Sequence, residues 1–101
     1  MFLKKPITSF QKKVYNITMK VPRGKVTTYA AIAKAMGNTY AARAIGNALN
    51  KNPFCEVPCH RVIRSDGSLG GYAKGTIAKI KYLRKEGVAV IKNTVLQKFI
   101  L

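Results

Sequence analysis

Residues 28–50, "TYAAIAKAMGNTYAARAIGNALN", constrain the fold more than any other stretch of the chain. Thr28 is placed to cap a helix that carries Tyr29, Ile32, Ala33 and Met36 on one side, and Gly37 with Asn38 stops it. A second helix follows at once in "TYAARAIGNALN", residues 39–50, with Ala44, Ile45, Ala48 and Leu49 as its inward stripe. Tyr40, Arg43 and Asn47 fall on its polar side at i, i+3 and i+7. Helix, tight turn and helix are the parts of a helix-turn-helix.

The flanking segments supply what this unit packs against. Ser9 is expected to cap an earlier helix whose apolar positions Phe10, Val14, Ile17 and Val21 recur at helical spacing until "VPRG". "GKVTTY" reads as a short extended piece, and "NKNPFCEVPC" is irregular and interrupted by proline. "HRVIRSDGSLGGY" reads as strand, "SDG" turn and strand, a β-hairpin. Thr76 is expected to cap a last helix carrying Ile77, Ile80 and Leu83, closed by Gly87. "VAVIKNTVLQKFIL" fits a strand or a short helix equally. The predicted fold is mainly α with a small β-hairpin wing, a winged helix-turn-helix, in a single domain over 1–101. At 101 residues and 48% hydrophobic content, the chain has material for one modest core.

Charge narrows the partner. Nineteen Lys and Arg against three acids give +16, a field that attracts polyanions, so nucleic acid is the expected partner. The basic residues are scattered through apolar periodic segments instead of forming a tail. The opening "MFLKKPITSF" meets charge almost at once and has no apolar leader core, which points to an intracellular protein. The longest apolar run, Val88 to Ile91, is far too short for a bilayer, so no membrane partner is expected. Cys55 and Cys59 would close only a very small disulfide loop, and free thiols are expected. With His60 they find no second ligand cluster, so neither a metal nor another cofactor is predicted.

Cys59 and His60, the only histidine, stand behind Pro58 and between the recognition helix and the wing. An isolated cysteine is commonly a small buried hydrophobe. In an extended chain, adjacent side chains point to opposite faces, so a Cys59–His60 relay needs a bend or a bridging water.

"VPCHRVIRSDGSLGGY", with "GKVTTYAAIA", "NTYAARAIGNALNKNP" and "YLRKEG" in the same order, resembles the O6-alkylguanine-DNA alkyltransferases from about Phe10 to Gly87. The resemblance implies stoichiometric transfer of an alkyl group from guanine O6 in double-stranded DNA to Cys59, by a monomer. His60 would take the thiol proton through a water, with Glu86 orienting it. Tyr29 would assist rotation of the nucleotide and hydrogen-bond the flipped base. Asn52 would brace the active-site turn. Tyr72 and Ala73 would cover the guanine pocket, and backbone groups at Cys59 and Val62 would hold the base edge. Arg43 would fill the gap left in the base stack from the minor groove. Ala42 and its small neighbours would let the helix approach, with Tyr40 and Asn47 also on the DNA. A base inside a duplex is out of reach of a thiol, so flipping is expected. The family's N-terminal domain has no counterpart here, which suggests a minimal form, and the Asn52–Cys59 segment is one residue shorter than the commoner pattern.

Three other readings compete. The alkyltransferase-like proteins share the framework but replace the acceptor cysteine, against which Cys59 argues. A winged-helix regulator leaves Cys59, His60 and Glu86 as coincidences. A cysteine hydrolase would require an oxyanion arrangement that cannot be read from the chain.

Overall fold

The computed structural model describes residues 6–101; residues 1–5, which carry part of the leader reading, lie outside the described residues. The first helix, α1 (Ser9–Met19), begins one residue later than its cap. Thr8, not Ser9, is that cap: its hydroxyl accepts from the Gln11 N–H while the Gln11 side chain accepts from the Thr8 N–H, a reciprocal capping box. After the two-residue strand β1 (Thr27–Thr28), Thr28 caps α2 (Tyr29–Ala35) through the Ala31 N–H, as expected. Gly37, at φ +75°, then turns the chain toward α3 (Ala42–Asn50). Two details of that helix differ from the sequence reading. Tyr40 sits in the turn before it, held by its N–H on Asn38 Oδ1, and Ala44 is exposed while Ala41 is buried. The turn shifts the phase of the helix, and the inward stripe becomes Ala41, Ile45, Ala48 and Leu49.

The wing segment departs further. β2 (Val62–Ile63) pairs in parallel with β1, Thr27 against Val62 and Thr28 against Ile63, and residues 68–72 form no return strand against it. Two backbone bonds, Arg64 N–H to the Ser68 carbonyl and Gly67 N–H to the Arg64 carbonyl, close a tight loop there. β1 outcompetes the local return because it offers Val62 and Ile63 a buried ladder. The antiparallel hairpin lies in the ambiguous tail instead: β3 (Val90–Ile91) pairs with β4 (Thr94–Val95) around Lys92 and Asn93. Both turn residues have positive φ, 51° and 59°, as a two-residue hairpin turn of matching twist requires.

α4 (Thr76–Lys85) is preceded by Gly75, so Thr76 is its first residue, not its cap, and no side chain caps it. Ile77 is outward, 77% exposed. Its C-terminus is a Schellman turn: Gly87, at φ +88°, donates to the Arg84 carbonyl and Val88 to that of Leu83. The chain after Gly87 therefore folds back so that Val88 and Leu83 pack together, both fully buried.

Two core clusters result. The first joins α1, α2 and α3 through Val14, Tyr15, Ile32, Ile45 and Leu49, and extends to Phe54, Val57 and Val62. The second joins Val26, Ile63, Leu69, Leu83, Val88, Val90 and Val95. Strand alternation explains why the adjacent residues Val62 and Ile63 belong to different clusters. β2 is thus the seam between them, and Cys59 stands just ahead of it. The described residues contain no helix long and apolar enough to cross a membrane.

Candidate active site

Pro58 ends the irregular stretch, and residues Cys59–Arg61 wind into a single 3-10 turn. That bend turns Cys59 and His60 toward one cleft instead of opposite faces. The cleft measures about 510 Å³ and is lined by Asn52, Cys59, His60, Arg61, Tyr72, Ala73, Lys74 and Tyr82, with Met19, Leu49, Phe54 and Val57 among its apolar walls. Its mouth also carries Cys55 and Glu56, whose side chains touch at 3.2 Å.

Asn52 grips the sulfur. Its Nδ2 lies 3.0 Å from Cys59 Sγ, 2.9 Å from the Phe54 carbonyl and 3.3 Å from that of Val57, and its Oδ1 accepts from the Phe54 N–H at 3.0 Å. One amide thus holds the short segment 52–59 closed and offers the sulfur a donor. The thiol in turn faces the Leu49 carbonyl at 3.6 Å. Burial pushes the Cys59 thiol up to about 11, against the opposing pull of Asn52 and of the Lys79 charge. The resting group is a thiol.

Behind His60 stands an ion cluster. His60 Nε2 is 3.0 Å from Glu86 Oε2, while Arg61 clasps the same carboxylate with Nε on Oε1 at 2.9 Å and a terminal nitrogen on Oε2 at 2.7 Å. Its remaining nitrogen donates to the Val21 carbonyl at 2.8 Å. Burial alone would raise the Glu86 carboxyl, but Arg61 and then His60 outweigh it and hold the group at about 2. An ionised carboxylate only accepts, so Nε2 of a neutral His60 carries the hydrogen and Nδ1 is left as the acceptor. Burial lowers the His60 pKa despite the pull of Glu86, which keeps the ring neutral at pH 7 and able to take a proton. Among the hydrogen bonds of the described residues, none joins His60 directly to Sγ.

The remaining predicted residues fall into three places. Tyr29, Ala42, Arg43 and Asn47 line a second cavity of about 230 Å³ on the helix-turn-helix side, together with Gly46, Asn50, Arg64 and Gly71. The Tyr29 hydroxyl donates to the Gly71 carbonyl at 3.4 Å, and burial raises its pKa. A Cβ on Gly70, at φ +70°, would come within 3.0 Å of the Tyr29 ring and hydroxyl, so the loop passes Tyr29 only as glycine. Val62 is fully buried; its N–H donates to the Cys59 carbonyl and its own carbonyl accepts from Lys79 Nζ at 2.7 Å. Tyr40 is 96% exposed and joins neither cavity.

Three residues at the site escaped the sequence reading. Lys79 is fully buried, and its Nζ donates to the carbonyls of Val62, Leu69 and Gly71. Three acceptors use all three N–H bonds of an ammonium, and although burial lowers its pKa to about 8 the charge persists at neutral pH. A lysine on the stripe of Ile80 and Leu83 was its signal. Arg61 carried no such signal, since it stands 25 residues from Glu86 and only the fold brings the two together. Tyr82, four residues before Glu86 on α4, stacks 5.4 Å from His60 and 6.3 Å from Tyr72.

This geometry has counterparts. Residues 9–88 match the model of the DNA-binding domain of 6-O-methylguanine DNA methyltransferase. The chain is 49% identical over 81 residues to a methylated-DNA–protein-cysteine methyltransferase of Methanosarcina acetivorans, covering 79% of this chain and 52% of that protein. A Methanothermobacter thermautotrophicus protein of the same name is 42% identical over 84 residues, 82% of this chain and 47% of its own length. The chain thus spans about half the length of these curated relatives. Among solved structures, Schizosaccharomyces pombe Atl1 bound to damaged DNA containing O6-carboxymethylguanine superposes with a TM-score of 0.83 at 30% identity, over 96% of this chain and 98% of that one. Mycobacterium tuberculosis OGT bound to DNA superposes with a TM-score of 0.77 at 40% identity, over 81% and 51%.

Proposed function

The chain belongs to the 6-O-methylguanine DNA methyltransferase family, and from that membership we propose that it repairs double-stranded DNA by taking the alkyl group of O6-alkylguanine onto Cys59, once per molecule. The observation that carries this reading is a half-buried thiol held by Asn52 in a cleft beside a neutral His60 that is itself bonded to Glu86.

The chemistry is displacement at a saturated carbon. Sγ bonds to the alkyl carbon as the bond to O6 breaks, and that electron pair leaves with the guanine, which regains a proton. A thiol near 11 is a poor nucleophile at neutral pH, so its proton must move as attack proceeds. His60 Nδ1 accepts it through an intervening water, and the imidazolium so formed is stabilised by Glu86. Asn52 and the nearby Lys79 charge favour the emerging thiolate. The thioether product has no good leaving group, so the protein is consumed.

The target base is extruded through the minor groove, Tyr29 assists its rotation, and Arg43 takes its place in the stack, with Ala42 and Asn47 beside it. Tyr72 and Ala73 cover the base, and the free lone pair of the Val62 carbonyl and the backbone at Cys59 meet its edge. In this reading α2, the turn and α3 are the DNA-reading helix-turn-helix and the loop after β2 is its wing. The unit 1–101 acts as one monomeric domain inside the cell, without metal or cofactor.

The alternative, lesion binding without transfer, shares its framework with Atl1 bound to damaged DNA, but the presence of Cys59 in the cleft argues against it. Intact-protein mass after mixing with a duplex containing O6-methylguanine separates the two. We expect a gain of one methyl group per protein, mapped to Cys59, with no further turnover in excess substrate. Cys59→Ala should abolish the gain and still bind DNA. An unchanged mass of the natural chain would leave lesion binding as the function.

A further inference from the structure

The second cavity holds one cation, Arg64, that the transfer chemistry leaves unused. Arg64, from the loop after β2, and Asn50, at the last position of α3, both line it. Among the described residues neither side chain has a hydrogen-bond or ion-pair partner. Asp66, two residues beyond Arg64, is already engaged, its Oδ1 accepting from the Ser68 N–H at 2.9 Å and from the Ser68 hydroxyl at 2.6 Å. No acid lines the cavity, while Gly46 and Ala42 keep its floor open. An anion there would meet the Arg64 guanidinium, a donor and charge with no acid opposite it in the cavity.

The cavity also has a fixed relation to the cleft of Cys59. One stretch of chain contributes a wall to each: Gly71 lines the second cavity and the next residue, Tyr72, the first. Tyr29 braces that wall through the Gly71 carbonyl, and Asn50 lies against it, its Nδ2 3.7 Å from where a Cβ on Gly71 would stand. A nucleotide whose base enters the first cavity carries its phosphodiester over this wall.

We propose that the second cavity seats a backbone phosphate of the strand being repaired, gripped by Arg64 and Asn50. The proposal rests on the alkyl-transfer reading above. It makes Arg64 the residue that fixes the sugar-phosphate chain while the base turns, a task distinct from reading the base or receiving the alkyl group. Phosphate contacts of this kind set register and carry no sequence information.

The test is single-turnover transfer from duplexes in which a neutral methylphosphonate replaces, one at a time, each phosphate flanking O6-methylguanine. At one position the natural chain should slow by about tenfold and Arg64→Gln should slow no further, because the charge it would meet is already gone. Arg64→Gln should also reduce the salt slope of duplex binding by about 0.9, the value of one neutralised phosphate, whereas Arg64→Lys should retain most of it. Transfer from free O6-benzylguanine, which has no phosphate, should fall at least tenfold less in Arg64→Gln than transfer from the duplex. Additive losses at every methylphosphonate position, or equal losses with duplex and free base, would overturn the phosphate seat alone. If the natural chain accepts an alkyl group from neither substrate, the transfer reading falls and the seat with it.

Discussion

The two core clusters are assembled by opposite means. The helical cluster of α1, α2 and α3 rests on regular amphipathic stripes and a side-chain cap at each of its first two helices. The C-terminal cluster sets α4 against two-residue strands, a Schellman turn and a hairpin, joined through partners distant in sequence such as Val26 and Ile100. What it lacks in regular structure it replaces with buried charge: Lys79 ties α4 to β2 and the Leu69–Gly71 loop, and Arg61 ties the end of α4 to Val21 after α1. Cys59 and His60 sit on the line where the two constructions meet. Helices hold the Cys59 side, and ionic clamps hold the His60 side.

The contrast can be broken most severely at Lys79. Lys79→Met keeps the stem and removes the ammonium, stranding buried carbonyls, and should cost about 3 kcal/mol in urea unfolding. Hydrogen exchange should show that loss as earlier opening of β3, β4 and the loop 69–71, with α1 and α3 protected longer. Uniform loss of protection across both clusters would contradict the division.

A smaller effect is expected at Glu86. Its carboxyl titrates at about 2 when folded against an ordinary 4.5, so its stabilisation is complete above pH 4.5 and disappears as the pH falls toward 2. Glu86→Gln should therefore destabilise by about 2 kcal/mol at pH 7 and by much less at pH 2, measured as urea midpoints at the two pH values. An equal penalty at both would show that the charge on Glu86 does not matter to the clamp.

The mildest change sharpens the comparison from the helical side. Thr8→Ala removes one half of the capping box and should cost about 1 kcal/mol, confined to fraying at the start of α1, with alkyl transfer unaltered. Backbone exchange of residues in the first turn of α1 is the measurement that checks it.

The same division explains what the sequence disclosed. Thr28 as a cap, the stop at Gly37 and Asn38, and burial of Ile45, Ala48 and Leu49 follow from local chemistry, and they stand. Local rules also misled where two candidates adjoined: Thr8 outcompeted Ser9 because only Thr8 has Gln11 at the reciprocal spacing, and Gly75 precedes the helix that Thr76 begins. The wing was misread because β2 takes its partner from β1, and no window around "VIRSDGSL" contains that information. At the site, resemblance and geometry bring Cys59, Asn52, His60 and Glu86 together. Lys79 was passed over as one more charge among nineteen Lys and Arg, since only burial distinguishes it.

If Cys59 is used once per molecule, as proposed, it must also survive the wait for its lesion. Oxidants and stray electrophiles react with thiolates, and Cys59, kept protonated up to about 11 behind Asn52 and Leu49, offers them almost none. Cys55, by contrast, is free and exposed beside the same cleft. In the proposed reaction, the burial that slows the nucleophile would thus also be its preservative, and proton transfer to His60 would be the step that releases it.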